Sequence, residues 1–136
     1  MNKIDLALFL EIHQHMRGRV RYQWAAKAAH LTEDSARIDV LDCSGYVQYQ
    51  LARQGIHVPS GSVEITDWMK RHAPQARASD TGLLLRAWPP STSGPGHIYF
   101  TFEGRTYECA RALKGVGNQS LPRYQNHPNA LAWLLA

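Results

Sequence analysis

Three residues of this sequence have the types and surroundings that nucleophilic chemistry needs: Cys43, His97 and Glu108. Cys43 follows Asp42, a good N-cap residue whose carboxylate accepts from N–H groups of a first helical turn. A sulfur at a helix start feels the positive end of the macrodipole, which favours thiolate over thiol near neutral pH. His97 opens the run His97-Ile98-Tyr99-Phe100-Thr101-Phe102, Glu103-Gly104 makes a two-residue turn, and Arg105 to Ala110 returns as the second strand of a hairpin. In that register Phe102 pairs with Arg105 and Tyr99 lies opposite Glu108. Alternation then places His97, Tyr99 and Thr101 on one face with Thr106, Glu108 and Ala110. His97 and Glu108 become diagonal neighbours, about 7–8 Å apart at the backbone and in reach through long side chains. A thiolate, an imidazole and a carboxylate that orients the imidazole are the parts of a cysteine nucleophile system. Cys109 points to the opposite face, which argues against a Cys43–Cys109 disulfide and against a zinc site using both sulfurs; no metal site is expected. Taken alone, a cysteine in a helix is more often a small buried side chain.

The elements that must position these residues are readable to different degrees. Tyr46, Val47, Tyr49 and Leu51 continue the Cys43 helix with an apolar face, and Gly55 stops it. Upstream, Ile4, Leu8, Ile12 and Met16 recur every four residues and predict an amphipathic helix over 2–16, broken at Gly18. His13 and His15 near its end are expected in solvent. Residues 20–29 read as extended or as the start of a second helix, with Tyr22 and Trp24 packed in the core or at its rim. Residues 30–38 read as loop. Ser62 is expected to cap a helix over 63–72 with Val63, Ile65, Trp68 and Met69 on its apolar side, ended by Pro74. Leu83-Leu84-Leu85 reads as a buried strand, Pro89 to Gly96 and Gly115 to Asn118 as loops. Pro128 suits the first position of a last helix over 128–135.

The chain has 136 residues, enough for one core, so a single domain over 1–136 is expected. The formal net charge is +4 without a dense basic run or nucleic-acid motif. That excludes nucleic acid as the expected partner and fits mild attraction to an anionic polymer or surface. No apolar run approaches the roughly 18–20 residues of a membrane span. The N-terminus lacks the apolar core and cleavage site of a secretory signal, so action outside the cytoplasm would need another delivery route.

Asp42-Cys43-Ser44-Gly45-Tyr46-Val47-Gln48-Tyr49 closely resembles the nucleophile motif of NlpC-type cell-wall peptidases, bacterial members of the papain-like fold. Tyr22-Gln23-Trp24-Ala25-Ala26 resembles that family's upstream tyrosine motif, which normally ends in two glycines. Gly96-His97-Ile98-Tyr99 resembles the histidine strand, and Gly104-Arg105-Thr106-Tyr107-Glu108 the strand carrying the third polar residue. The resemblance covers roughly residues 17–120. It implies an α+β papain-like domain, with N-terminal helices including the nucleophile helix packed on an antiparallel sheet. It implies a cysteine endopeptidase or amidase cutting peptidoglycan stem peptides, typically between γ-D-glutamate and a diamino acid, without a cofactor. By matched position Cys43 is the nucleophile, His97 the base, Glu108 the orienter and Tyr22 a contributor near the oxyanion. Asp42, Ser44 and Ser62 would line the substrate site. Ala25-Ala26 replace the two glycines, Glu108 is a less usual third residue, and Ser60 stands where an arginine is common. A phage lysin or an antibacterial effector, with an immunity or inhibitor protein, fits a single domain of this kind. Two alternatives remain open: a cytoplasmic thiol amidase or acyltransferase acting on a γ-glutamyl compound or a protein, and a non-catalytic binding module that kept the fold.

Overall fold

The computed structural model describes residues 3–77, 80–92, 94–120 and 130–136. Helix α1 is Leu6–Met16. It starts later than the apolar spacing suggests because Asp5 is its N-cap and accepts from the Leu8 N–H at 3.2 Å. Ile4, outside the helix, is still buried. Strands β1 (Arg21–Tyr22) and β2 (Val40–Leu41) pair in parallel, and β2 leads directly into α2 (Cys43–Arg53). The 30–38 segment is loop except for a 3-10 turn at Ser35–Arg37. Helix α3 is Ser62–His72, followed by β3 (Gln75–Ala76). Strands β4 (Leu84–Trp88), β5 (His97–Phe102), β6 (Arg105–Ala110), β7 (Gly115–Gly117) and β8 (Leu131–Leu134), with a 3-10 turn at Arg111–Leu113, complete the described elements.

The strands form one eight-stranded sheet in the order β2-β1-β7-β6-β5-β4-β8-β3, antiparallel apart from β1 and β2. Helix α2 packs on β5 and β6. Its Tyr46 meets Phe100 edge to face, and Phe9 of α1 does the same at 4.8 Å between centroids. Tyr46, Val47, Tyr49 and Leu51 are all buried, so the helix carrying Cys43 is anchored along its length. The architecture is α+β, with three helices against a mostly antiparallel sheet. No helix among the described residues is long and apolar enough to cross a membrane.

Several sequence expectations are corrected. The last element is strand β8, not a helix over 128–135. Its leucines have helical spacing, but Leu131 to Leu134 pair with Ala87 to Leu84 of β4, and Trp133 fills the core. Pro128 lies outside the described residues. Gly115–Gly117 is strand β7, pairing with β6 and β1, rather than loop. Residues 21–22 are strand, so the helical alternative for this segment falls. Ser62 is the first residue of α3 and not its cap. Gly61 takes that place and provides no side-chain bond. Val63 is exposed, while Ile65 and Met69 carry the burial of α3.

His13 is the clearest reversal. It is buried, not solvated. Its Nδ1 lies 2.7 Å from the Tyr46 hydroxyl and its Nε2 3.0 Å from Asn118 Oδ1. With both nitrogens engaged, the ring substitutes for solvent between α1, α2 and the end of β7. Burial disfavours its charged form and lowers its pKa to about 4.

Candidate active site

Cys43 is placed by the junction of β2 and α2. The Asp42 carboxylate caps the helix, accepting from the Gly45 N–H at 2.6 Å and from Ser44 Oγ at 3.2 Å. Its other oxygen forms an ion pair with Lys27. The Asp42 N–H donates to the Ala26 carbonyl at 2.9 Å, which ties the tyrosine segment to the helix start. Gly45 is required there: a Cβ at this position would stand 2.5 Å from the Ala26 oxygen. The sulfur is partly exposed, and both cysteines are free thiols.

His97 begins β5, and the preceding Gly96 lets the chain pass Trp88, whose carbonyl would lie 2.6 Å from a Cβ. The hairpin register is Phe102 to Arg105, Thr101 to Thr106 and Phe100 to Tyr107. It sets Glu108 beside His97, and Nε2–H of His97 donates to Glu108 Oε1 at 2.7 Å. With Nε2 held, Nδ1 is the nitrogen left for the hydrogen bond between His97 and Cys43. Burial opposes charge on the imidazole. The hydrogen bonds to Cys43 and Glu108 and their negative charges outweigh it, and the His97 pKa is pushed up to about 9. Tyr99 stacks on the ring at 5.3 Å and Trp88 packs against it at 5.2 Å, so its orientation is fixed from three sides.

Glu108 is fully buried, so each acceptor site must be filled. Besides His97 it receives the Thr106 hydroxyl and, at 3.2 Å, the Gln119 amide. Thr106 Oγ1 accepts in turn from the Gln119 backbone N–H at 2.8 Å. Asn118 donates to the Thr106 carbonyl at 2.8 Å while its Oδ1 faces His13. One hydrogen-bonded path therefore links the buried histidine of α1 with the acid beside His97.

Tyr22 reaches the site because β1 pairs it with Leu41, two residues before Cys43. Burial raises its hydroxyl pKa, and a hydrogen bond from Arg111 works the other way. Two hollows flank Cys43. One of about 320 Å³ is lined by Lys27, Asp42, Ser44 and Ser62 among others. The other, about 230 Å³, is lined by His97, Trp88, Tyr22 and Arg111 among others. Six of the seven sequence-derived residues, Tyr22, Asp42, Cys43, Ser44, Ser62 and His97, line these two hollows, and Glu108 is buried against His97. Asp42 and Ser44 are engaged with each other and with the helix start. Trp24, expected in the core or at its rim, is 68% exposed. No group of His, Cys, Asp and Glu side chains among the described residues could hold a metal.

The family model described as the NlpC/P60 family matches residues 18–125. The chain belongs to the NlpC/P60 family. Solved structures of similar fold include the P60 domain of an antigen from Mycobacterium avium subspecies paratuberculosis, with TM-score 0.66 and 19% identity over 95% of this chain and 93% of that one. The peptidoglycan hydrolase RipB of Mycobacterium tuberculosis matches with TM-score 0.69 and 18% identity, over 96% of this chain and 65% of that one. RipD of the same organism, described as a non-catalytic NlpC/p60 domain protein adapted to peptidoglycan binding, matches with TM-score 0.69 and 14% identity, over 99% and 100% of the two chains. At these identities the likeness establishes the fold. No match to a curated protein sequence is found.

Sequence reasoning missed Thr106 and Gln119 in this NlpC/P60 domain. Thr106 was legible in principle, since it shares the hairpin face with Glu108. Gln119 gave no signal, because a strand read as loop delivers it. Lys27 and Arg111 carry no sequence signal that separates them from the other basic side chains.

Proposed function

We propose that this chain is a cysteine endopeptidase or amidase that hydrolyses peptidoglycan stem peptides, at the bond between γ-D-glutamate and a diamino acid. The observation that carries the reading is the continuous hydrogen-bonded series Cys43, His97, Glu108 at the open start of α2, with a hollow on either side. Family membership supplies the substrate class. In this reading Cys43 Sγ attacks the γ-carbonyl carbon while His97 holds the proton at Nδ1. Charge gathers on the carbonyl oxygen, near the Tyr22 hydroxyl and the first N–H groups of α2. Collapse breaks the C–N bond, and His97 passes its proton to the departing amine. Water, deprotonated by His97, then hydrolyses the thioester and frees Cys43. Glu108 keeps Nε2 protonated and the ring aligned throughout.

Residues 1–136 act as one catalytic domain on this view, working at the bacterial cell wall after delivery by lysis or secretion, in the manner of a phage lysin or an antibacterial effector. An immunity or inhibitor protein would accompany the latter. RipD, described as non-catalytic, supports a second reading as a wall-binding module. The discriminating experiment is mass spectrometry of muropeptides after incubation of sacculi with the wild type and with Cys43→Ala. New γ-D-glutamyl termini with the wild type alone support hydrolysis. Retention on sacculi with no product from either supports the binding module.

A further inference from the structure

The two hollows beside Cys43 are chemically different. In acyl transfer by a Cys–His pair, the leaving amine must lie next to the histidine that protonates it. His97 lines only the smaller hollow, so the amine-bearing half of a substrate belongs there and the acyl half in the larger one. None of the described residues lining the smaller hollow is acidic, and Arg111 stands at its edge. The Arg111 guanidinium carbon sits 5.6 Å from the Tyr22 ring centroid and 5.7 Å from that of Trp24. The cation is within cation–π range of both rings and also donates to the Tyr22 hydroxyl. No carboxylate among the described residues is within ion-pair distance of Arg111. Trp24, an otherwise unexplained exposed aromatic, gains a purpose as a ring partner of this cation.

Building on the proposed hydrolase reading, we propose that Arg111 is a specificity residue that binds a carboxylate on the amine-side residue of the substrate. Arg111 gives one N–H to the Tyr22 hydroxyl, and its remaining N–H groups can supply the two parallel hydrogen bonds a carboxylate accepts. A diamino acid with a second, free carboxyl group on its side chain meets that description. The same residue with this carboxyl amidated, or a diamino acid without it, does not. The cleft would then separate wall peptides by one charge, on the side of the scissile bond opposite the γ-glutamyl group.

The test uses two synthetic tripeptides, L-alanyl-γ-D-glutamyl-meso-diaminopimelate and its analogue amidated at the far carboxyl. Binding to the Cys43→Ala protein is measured by calorimetry, and cleavage by the wild type is measured separately. The acid should bind roughly 10- to 100-fold more tightly than the amide, the range of a charge-assisted hydrogen bond. Arg111→Met, which keeps an aliphatic stem beside the rings, should bring the acid-to-amide binding ratio close to one. Arg111→Lys should restore part of the difference. Equal binding of acid and amide by the Cys43→Ala protein overturns the proposal. So does an equal loss for both peptides in Arg111→Met, which would mean that Arg111 acts only through Tyr22. Cleavage of both peptides at equal kcat/KM keeps the hydrolase reading and discards this one. Selective binding of the acid without any cleavage by the wild type keeps this one and discards the hydrolase.

Discussion

Replacing Glu108 by glutamine changes one atom's hydrogen-bonding role and should remove most of the activity. The carboxylate accepts from His97 Nε2 at one oxygen and from Thr106 and Gln119 at the other. An amide has one acceptor oxygen, and two donors meet at one side against one at the other. The oxygen should therefore settle toward Thr106 and Gln119, leaving the NH2 facing His97. Nε2 must then accept, the ring proton moves to Nδ1, and the imidazole can no longer take a proton from Cys43. Loss of a charge-assisted hydrogen bond alone is worth about 1.5–3 kcal/mol, or roughly 10- to 150-fold in rate. The wrong tautomer extends this toward about 10,000-fold. We expect kcat/KM on a γ-D-glutamyl tripeptide to fall between about 100- and 10,000-fold, with Glu108→Gln no better than Glu108→Ala. The pH profile supplies a second readout. In the wild type the His97 proton is retained up to about 9, so activity that needs the imidazolium falls as pH rises through that value. Without the carboxylate the pKa drops and this alkaline limb moves to lower pH. A Glu108→Gln variant within twofold of wild type, or one with an unmoved alkaline limb, would refute the role given to Glu108.

Cys43→Ala should abolish turnover while the thermal melt stays near wild type. Iodoacetamide should label Cys43 well before Cys109, which is fully buried, hydrogen-bonded to the Leu41 carbonyl and raised in pKa by burial; faster labelling of Cys109 would contradict this. Gln119→Leu should leave one oxygen of Glu108 under-satisfied and lower kcat by roughly 5- to 30-fold with little change in KM, a split read from steady-state kinetics. His13 binds a proton at about 4 in the folded state and near 6.5 when unfolded. Its contribution is therefore complete above about 6.5 and is lost as pH falls toward 4, on the order of 3 kcal/mol in all. His13→Phe should flatten that acid limb in denaturant titrations, even though it lowers stability at neutral pH by removing two buried hydrogen bonds. An unchanged acid limb would place the titration elsewhere.

The parts of this molecule legible in the sequence are those fixed by local rules. Asp42 before Cys43 announces a capped helix, and the Glu103-Gly104 turn fixes a register that carries His97 to Glu108. The parts that were not legible depend on partners distant in the chain. Leu131 to Leu134 have the spacing of a helix and become a strand because β4 offers an edge there. His13 lies on an amphipathic helix where a solvated histidine is unremarkable. Only Tyr46 and Asn118, 33 and 105 residues away in sequence, make it a buried polar anchor. Gly115 to Gly117 contain almost no side-chain signal, yet Gly115 must be glycine because its φ is +159° and the Val20 carbonyl crowds its Cβ position. That strand then places Gln119 against Glu108, so a backbone requirement invisible to hydrophobic patterning completes the acid's hydrogen bonds.

The tyrosine segment shows how contacts can stand in for a missing glycine. The Ala26 N–H donates to the Gln23 carbonyl at 3.1 Å, closing a four-residue turn with Trp24 and Ala25 at its centre. Ala25 has φ of +62°, the sign a type II turn demands at its third position, where glycine is the usual occupant. An alanine there costs about 1–2 kcal/mol relative to ordinary backbone. What holds it is downstream: the Ala26 carbonyl accepts from the Asp42 N–H, and Lys27 pairs with the Asp42 carboxylate. Both contacts converge on the residue that caps the Cys43 helix, so the strained turn and Cys43 are fixed by one anchor. The turn also throws Trp24 outward at its second position, which is where it meets Arg111. The turn therefore keeps its positive φ without a glycine. It transfers the conformational requirement from glycine's freedom to the Lys27–Asp42 pair, and it makes the aromatic rim of the cleft depend on the same residues that set the sulfur.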